Sequence, residues 1–174
     1  MSDFPTTKRN TINRLPQRGH YDAETIYSIL DEALICHVAF TQGNEPFVIP
    51  SLYARLDDSI LLHGEKARRL KKNIQEGGQV SIAVSLIDGL VVARSVFHHS
   101  VNYRSVVLFG KGTLVKAEAE KMHALQVITE HILPGRWAEA RKPTPKELNA
   151  TTVVSIPIES ASAKVRTGQP GDDE

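Results

Sequence analysis

Apolar segments rich in Val, Ile and Leu follow one another along this chain with only short turns between them, and that spacing constrains the fold most. Strands are predicted at Leu34–Thr41, Pro46–Arg55, Ser59–His63, Val80–Leu86 continuing as Leu90–Phe97, Arg104–Lys116 and Thr151–Ile158. The connections include Gln42-Gly43-Asn44-Glu45 and Asp57-Asp58, with a turn or bulge at Ile87-Asp88-Gly89. Strands joined so closely pair antiparallel, because a parallel pair needs a crossover of about a dozen residues or more. Helical spacing is confined to Ala23–Ala33 behind an Asp22 N-cap, Glu65–Gln75 closed by Gly77-Gly78, Ala117–Leu133, and a short turn around Pro145–Asn149. The order predicts a mainly β chain with flanking helices, a closed or split barrel rather than a doubly wound parallel sheet. Residues 1–19 read as an N-terminal arm, 20–167 as the domain and 168–174 as a frayed acidic tail.

Composition narrows the function classes. Lys plus Arg number 21 and Asp plus Glu 20, so a net charge of +1 exerts no general pull toward nucleic acid or an anionic membrane. No apolar run approaches the ~20 residues of a membrane span. Residues 1–18 lack the apolar core of a signal peptide, so the cytoplasm is the expected compartment. The single Cys36 excludes an intrachain disulfide; it reads as a buried small hydrophobe, the alternative being a reactive thiol. Nucleotide-binding glycine loops and His-Glu-x-x-His are absent, and Gly110-Lys111-Gly112-Thr113 sits mid-strand with no helix after it.

Three clusters could carry chemistry. In Val48-Ile49-Pro50-Ser51-Leu52-Tyr53 the proline removes a ladder donor, marking an edge or irregularity where backbone groups are free for a ligand. In Leu61-Leu62-His63-Gly64-Glu65-Lys66 a strand runs into a helix whose first turn holds Lys66, an arrangement that favours a phosphate. The alternative is a solvated basic helix face. The third, Ala93 to Val106, packs Arg94, Ser95, His98, His99, Ser100, Asn102, Tyr103, Arg104 and Ser105 between apolar strands, which suits a polar ligand. His98 and His99 could be a metal or haem pair, but strand neighbours point to opposite faces, so no metal site is expected.

From His20-Tyr21-Asp22 to Arg166-Thr167-Gly168 the chain resembles the pyridoxamine 5'-phosphate oxidase-related FMN-binding split barrels, on their nitroimidazole-resistance-like branch. The resemblance is carried by Ile49-Pro50-Ser51-Leu52-Tyr53, Leu62-His63-Gly64, Phe97-His98-His99-Ser100-Val101-Asn102-Tyr103-Arg104-Ser105-Val106, Pro134-Gly135-Arg136-Trp137 and Ala163-Lys164-Val165-Arg166-Thr167-Gly168. It implies a six-stranded antiparallel split β-barrel that dimerises, with FMN, or FAD in its place, in the cleft between subunits. Pro50, Ser51 and Leu52 would lie along the ring, Gly64 and Lys66 at the phosphate, and Asn102, Tyr103, Arg104 and Ser105 at the polar edge. Glu65 stands where true pyridoxamine phosphate oxidases carry arginine, and their C-terminal Trp/Arg segment has no match, which argues against that substrate.

The expectation is an FMN-dependent oxidoreductase acting on a small electron-poor molecule such as a nitro-aromatic, with His63 as proton donor or substrate contact. A structural, backbone-capping His63 is the alternative. At the level of function the alternative is a flavin- or haem-binding carrier or sensor without turnover.

Overall fold

The computed structural model describes residues 3–64 and 68–171. Strand β1 (Gly19–His20) precedes helix α1 (Ala23–Glu32); β2 (Ile35–Gln42), β3 (Glu45–Leu56) and β4 (Ser59–Gly64) then follow in a meander. Helix α2 (Arg68–Gln75) leads to β5 (Gln79–Val91), β6 (Ser100–Lys111) and β7 (Thr113–Val115). Helices α3 (Glu118–Ile132), α4 (Arg136–Glu139) and α5 (Pro145–Ala150) separate these from β8 (Thr152–Pro157) and β9 (Ser160–Arg166). The strands form one sheet in the order β1-β9-β6-β5-β2-β3-β4-β8-β7, and every pairing in it is antiparallel.

Among the described residues nine strand segments stand where six strands were expected, and the register explains the difference. β6 and β7 are one run interrupted at Gly112, and β8 and β9 one run interrupted at Ile158-Glu159. The two runs pair along their length, from Tyr103↔Arg166 to Phe109↔Ser160 and from Thr113↔Ser155 to Val115↔Val153. At the interruption the Ile158 amide donates to the Asp58 carbonyl and the Glu159 amide to the Phe109 carbonyl, so the bend leaves neither group unpaired. Since β8 also pairs β4, the sheet curls back on itself through six runs, with β1 appended to β9.

The strand predictions hold in the centre and fail at the edges. The β2–β3 connection is a two-residue hairpin turn, Gly43-Asn44, with Gly43 at φ 62°, so Gln42 and Glu45 are strand residues. Asp88 is the bulged residue that shifts the β5–β6 register between Ile87 and Gly89. His98–Tyr103, read as a loop, is largely strand, since β6 begins at Ser100; the strand expected through Phe97 ends at Val91. β9 carried no sequence signal because Ser160-Ala161-Ser162-Ala163 is small and weakly apolar; Ala161 and Ala163 are nonetheless fully buried.

Two apolar layers hold the barrel. Its interior is filled by Cys36, Val38, Phe40, Tyr53, Ile60, Leu62, Ile82, Leu108, Val154 and Ile156, capped by Ile26, Ile29 and Leu30 of α1 and by Leu70 and Ile74 of α2. A second cluster lies outside β3, β4 and β8, where Ala54, Leu61 and Val153 meet Ala124 and Ile128 of α3. β4 and β8 are therefore covered on both faces, which is why Ile60-Leu61-Leu62 and Val153-Val154 read as continuous apolar runs rather than alternation. The N-terminal arm is fastened to this core. Phe4 packs edge-on to Tyr27, and buried Asn10 donates to the carbonyls of Pro5 and Ala161.

Gly110 marks the tightest approach, since a Cβ there would lie 2.0 Å from the Pro157 carbonyl oxygen. Gly110→Ala must part the two runs and is expected to cost about 1–3 kcal/mol or more, by analogy with overpacked cores. Gly89→Ala, with nothing within 4 Å of the added carbon, is the control. Urea midpoints of the two variants check this, the first falling well below the second.

Candidate functional site

The length mismatch between β3 and β4 opens the site. β3 runs over twelve residues, but it pairs with β4 only from Tyr53↔Leu62 to Leu56↔Ser59. Upstream, Glu45–Leu52 pairs on one side alone, with β2. Among the described residues the backbone groups on its other side have no strand to meet, and Pro50 contributes no donor to either.

That free edge forms one wall of a cleft of about 320 Å³. Ile49, Pro50 and Ser51 of β3 face Leu62, His63 and Gly64 of β4, with Thr152 and Val154 of β8 beside them and Val38 and Leu70 closing it. The volume lies at the lower end of the ~300–1,000 Å³ usual for small-molecule sites. The lining is apolar, with a few polar groups on Ser51, His63 and Thr152. A larger hollow of about 520 Å³ runs along α1, but Asp31 there is paired with Arg55 and Asp22 caps the helix, so its main polar groups already have partners.

Pro50, Ser51, His63 and Gly64 are thus gathered at one place from two strands. Lys66 lies outside the described residues. Leu52 does not line the cleft; it pairs with Ile35 and is exposed. Thr152, Val154, Val38 and Leu70 were not anticipated. Thr152 is remote in sequence and arrives only through its pairing with Gly64, and no local pattern announces that.

The third cluster is separate within one chain. Asn102, Tyr103, Arg104 and Ser105 lie on β6, which is separated from β3 by β5 and β2. Asn102 donates to the Gly168 carbonyl and accepts from Arg166, and the Ser105 hydroxyl donates to the Lys164 carbonyl. Arg104 is clasped by two carboxylates, Glu32 at the end of α1 and Asp88 in the β5 bulge. These hydrogen bonds hold both carboxyls below their ordinary range and raise the guanidinium above its own. Both carboxylates are open to solvent, which screens the pairing, so the clasp positions Arg104 without locking it.

Two side-chain questions are settled by environment. Cys36 is fully buried, and desolvation pushes its thiol up to about 12, which excludes a thiolate nucleophile. His63 is exposed to the cleft, yet the surrounding walls disfavour its charged form and lower its pKa. At neutral pH it is a neutral imidazole with one N–H and one lone pair.

A family profile described as pyridoxamine 5'-phosphate oxidase matches residues 22–165. The chain is similar to the flavocytochrome Anf3 of Azotobacter vinelandii, at 40% identity and TM-score 0.88, covering 97% of this chain and 78% of that one. It is similar to an FAD and haem binding protein of Mycobacterium smegmatis at 32% identity and TM-score 0.83, covering 90% and 77%. A proposed 5-nitroimidazole antibiotic resistance protein of Bacteroides thetaiotaomicron shares the fold, at 24% identity and TM-score 0.72, covering 84% and 86%. No curated protein matches the chain.

The lowered pKa of His63 has a consequence for stability. In the unfolded chain its imidazole takes up a proton at a higher pH than in the folded one, so acidification favours unfolding. This contribution is intact above the ordinary histidine range and is lost as pH falls through it toward the lower folded value. Wild-type protein is expected to lose more stability than His63→Gln between pH 7.5 and 5, read from urea midpoints; equal losses would mean the cleft does not desolvate His63.

Proposed function

The chain belongs to the pyridoxamine 5'-phosphate oxidase family, and on that footing we propose that it binds a flavin in the β3–β4 cleft and acts as a homodimeric oxidoreductase on a small electron-poor substrate. The observation that carries this reading is the one-sided pairing of Glu45–Leu52. A flavin has a flat ring with a hydrogen-bonding edge, and an unpaired strand offers backbone groups at the matching spacing beside apolar walls. Bound there, the flavin would supply the electron and hydride transfer.

The chain's own residues do the rest. Val38, Leu62, Leu70 and Val154 exclude water from the cleft, which strengthens each polar contact made inside it. Ser51 donates to the Leu52 carbonyl and keeps a lone-pair site for a ligand donor. His63 holds its proton on a neutral ring, able to donate it to a substrate acquiring electrons and to be reprotonated from solvent. With a second copy, the β6 cluster would come from the partner and complete the flavin's polar edge. Support for that pairing is the apolar surface of the free chain: Phe97 is 89% exposed, Val96 81% and Leu90 79%, with Ile35, Val48 and Leu52 exposed on β2 and β3.

Ile49→Trp tests the cleft directly. The indole fills the space against β4, so the variant is expected to retain its sheet by circular dichroism and dimer size by light scattering while purifying without flavin absorbance. A fully flavin-loaded variant would place the flavin elsewhere, and a monomeric, fully loaded wild type would remove the shared site.

A second reading adds haem, since relatives at 40% and 32% identity are described as a flavocytochrome and as an FAD and haem binding protein. His98 and His99 are not strand neighbours here, because His98 ends a short 3-10 turn, so the geometric objection to one of them as a ligand lapses. The Ala93 amide donates to Nδ1 of His99, leaving the proton on Nε2, the reverse of what a metal-binding imidazole needs. His98, edge-on to the Phe97 ring in a segment with exposed Leu90, Val92 and Val96, is the residue that would hold a haem, whose apolar ring those side chains would cover. Protein made with added haemin should show a Soret band that His98→Ala loses and His99→Ala keeps. No band in wild type retires haem.

A further inference from the structure

Beyond the cleft, around Thr152, lies a groove of about 320 Å³ with the opposite character. Where the cleft is walled by aliphatic side chains, this groove is lined by Lys71 of α2, Lys116 before α3, Lys121 in α3, and Asn149, Thr151 and Thr152 at the end of α5 and the start of β8. Among the described residues no carboxylate lines it: Glu120 lines a different hollow beside His123, and Glu76 pairs with Lys72. One ammonium is held in place, since Lys121 donates to the Leu148 carbonyl at 2.5 Å at the end of α5. Three lysines with amide and hydroxyl donors, in a chain of net charge +1, form a local anion site.

The two spaces are neighbours that share one lining residue. Thr152 lines both, and Leu70 and Lys71, adjacent on α2, line one each. An apolar slot beside a cationic, hydrogen-bonding groove matches a molecule that is flat and apolar at one end and carries phosphate and nucleoside at the other. FMN needs only the slot and its mouth; a dinucleotide spans both. We propose that the lysine groove binds the adenylate half of FAD, so that Lys71, Lys116 and Thr152 set a preference for FAD over FMN. This rests on the flavin lying in the cleft. Lys71 and Lys116 supply point charges to the second phosphate, while Asn149 and Thr151 offer hydrogen bonds to the adenosine.

The test compares calorimetric titrations of FAD and of FMN into flavin-stripped full-length protein, for wild type and for Lys71→Gln/Lys116→Gln. Lys121 is left intact because of its bond to α5, and Lys146→Gln, a lysine of α5 outside the groove, serves as control. Wild type is expected to bind FAD more tightly, and the double variant to lose about ten- to a hundredfold in FAD affinity relative to FMN, as for loss of charge-assisted contacts. ADP should compete with FAD and not with FMN. Equal losses for the two flavins, or no loss of either, would overturn the assignment while leaving a flavin in the cleft. If wild type binds neither, the cleft reading falls and this one with it. Should the double variant fold poorly by circular dichroism, competition by ADP on wild type decides alone.

Discussion

An antiparallel ladder is complete only where two strands are equally long, and the site of this protein depends on one place where they are not. β3 is twice the length of β4, so beyond Tyr53 its edge pairs with no strand among the described residues. Closing that gap with another strand would satisfy the backbone and abolish the cleft. Leaving it open obliges the edge to find another partner, because a flat, partly apolar strand with free amides invites uncontrolled pairing. Pro50 limits that hazard by removing a donor, and a ligand in the cleft would remove the rest.

The gap persists because everything around it is fixed from behind. β4 and β8 are buried on both faces, by the barrel interior and by α3, so the wall carrying His63, Gly64 and Thr152 has little freedom to slide toward β3. Tyr53, at the branching point, is fully buried; its hydroxyl donates to the Leu30 carbonyl and its ring lies against His131, which in turn bonds the Ala33 carbonyl. One residue thus ties the end of the split to α1 and α3. The Arg104 clasp works on a different scale: its exposed carboxylates orient the guanidinium, and it can be rearranged at small cost.

Much of this was legible one-dimensionally. Turn chemistry at Gly43-Asn44 and Asp57-Asp58, the bulge at Asp88 and the proline in β3 are local events whose causes sit in a few adjacent residues. The same locality marked Pro50, Ser51, His63 and Gly64, which the cleft does bring together. β9 was invisible because its burial comes from being the lining of a curled sheet, where Ala and Ser fit and larger residues would not. Ser100–Tyr103 read as loop because its polar side chains suggested solvent, whereas its backbone pairs with β5 and Asn102 is satisfied by Gly168 and Arg166.

By itself the sequence determined the class of architecture, since runs of β-branched residues with short turns permit only antiparallel neighbours, and it determined the edge character of Pro50-Ser51-Leu52. Only the tertiary structure decided that six runs close on themselves, that Thr152 pairs with Gly64, and that an apolar slot and a lysine-lined groove share Thr152. Those outcomes are set by register and curvature between residues far apart in the chain, and pairing at such separation leaves no trace in local periodicity.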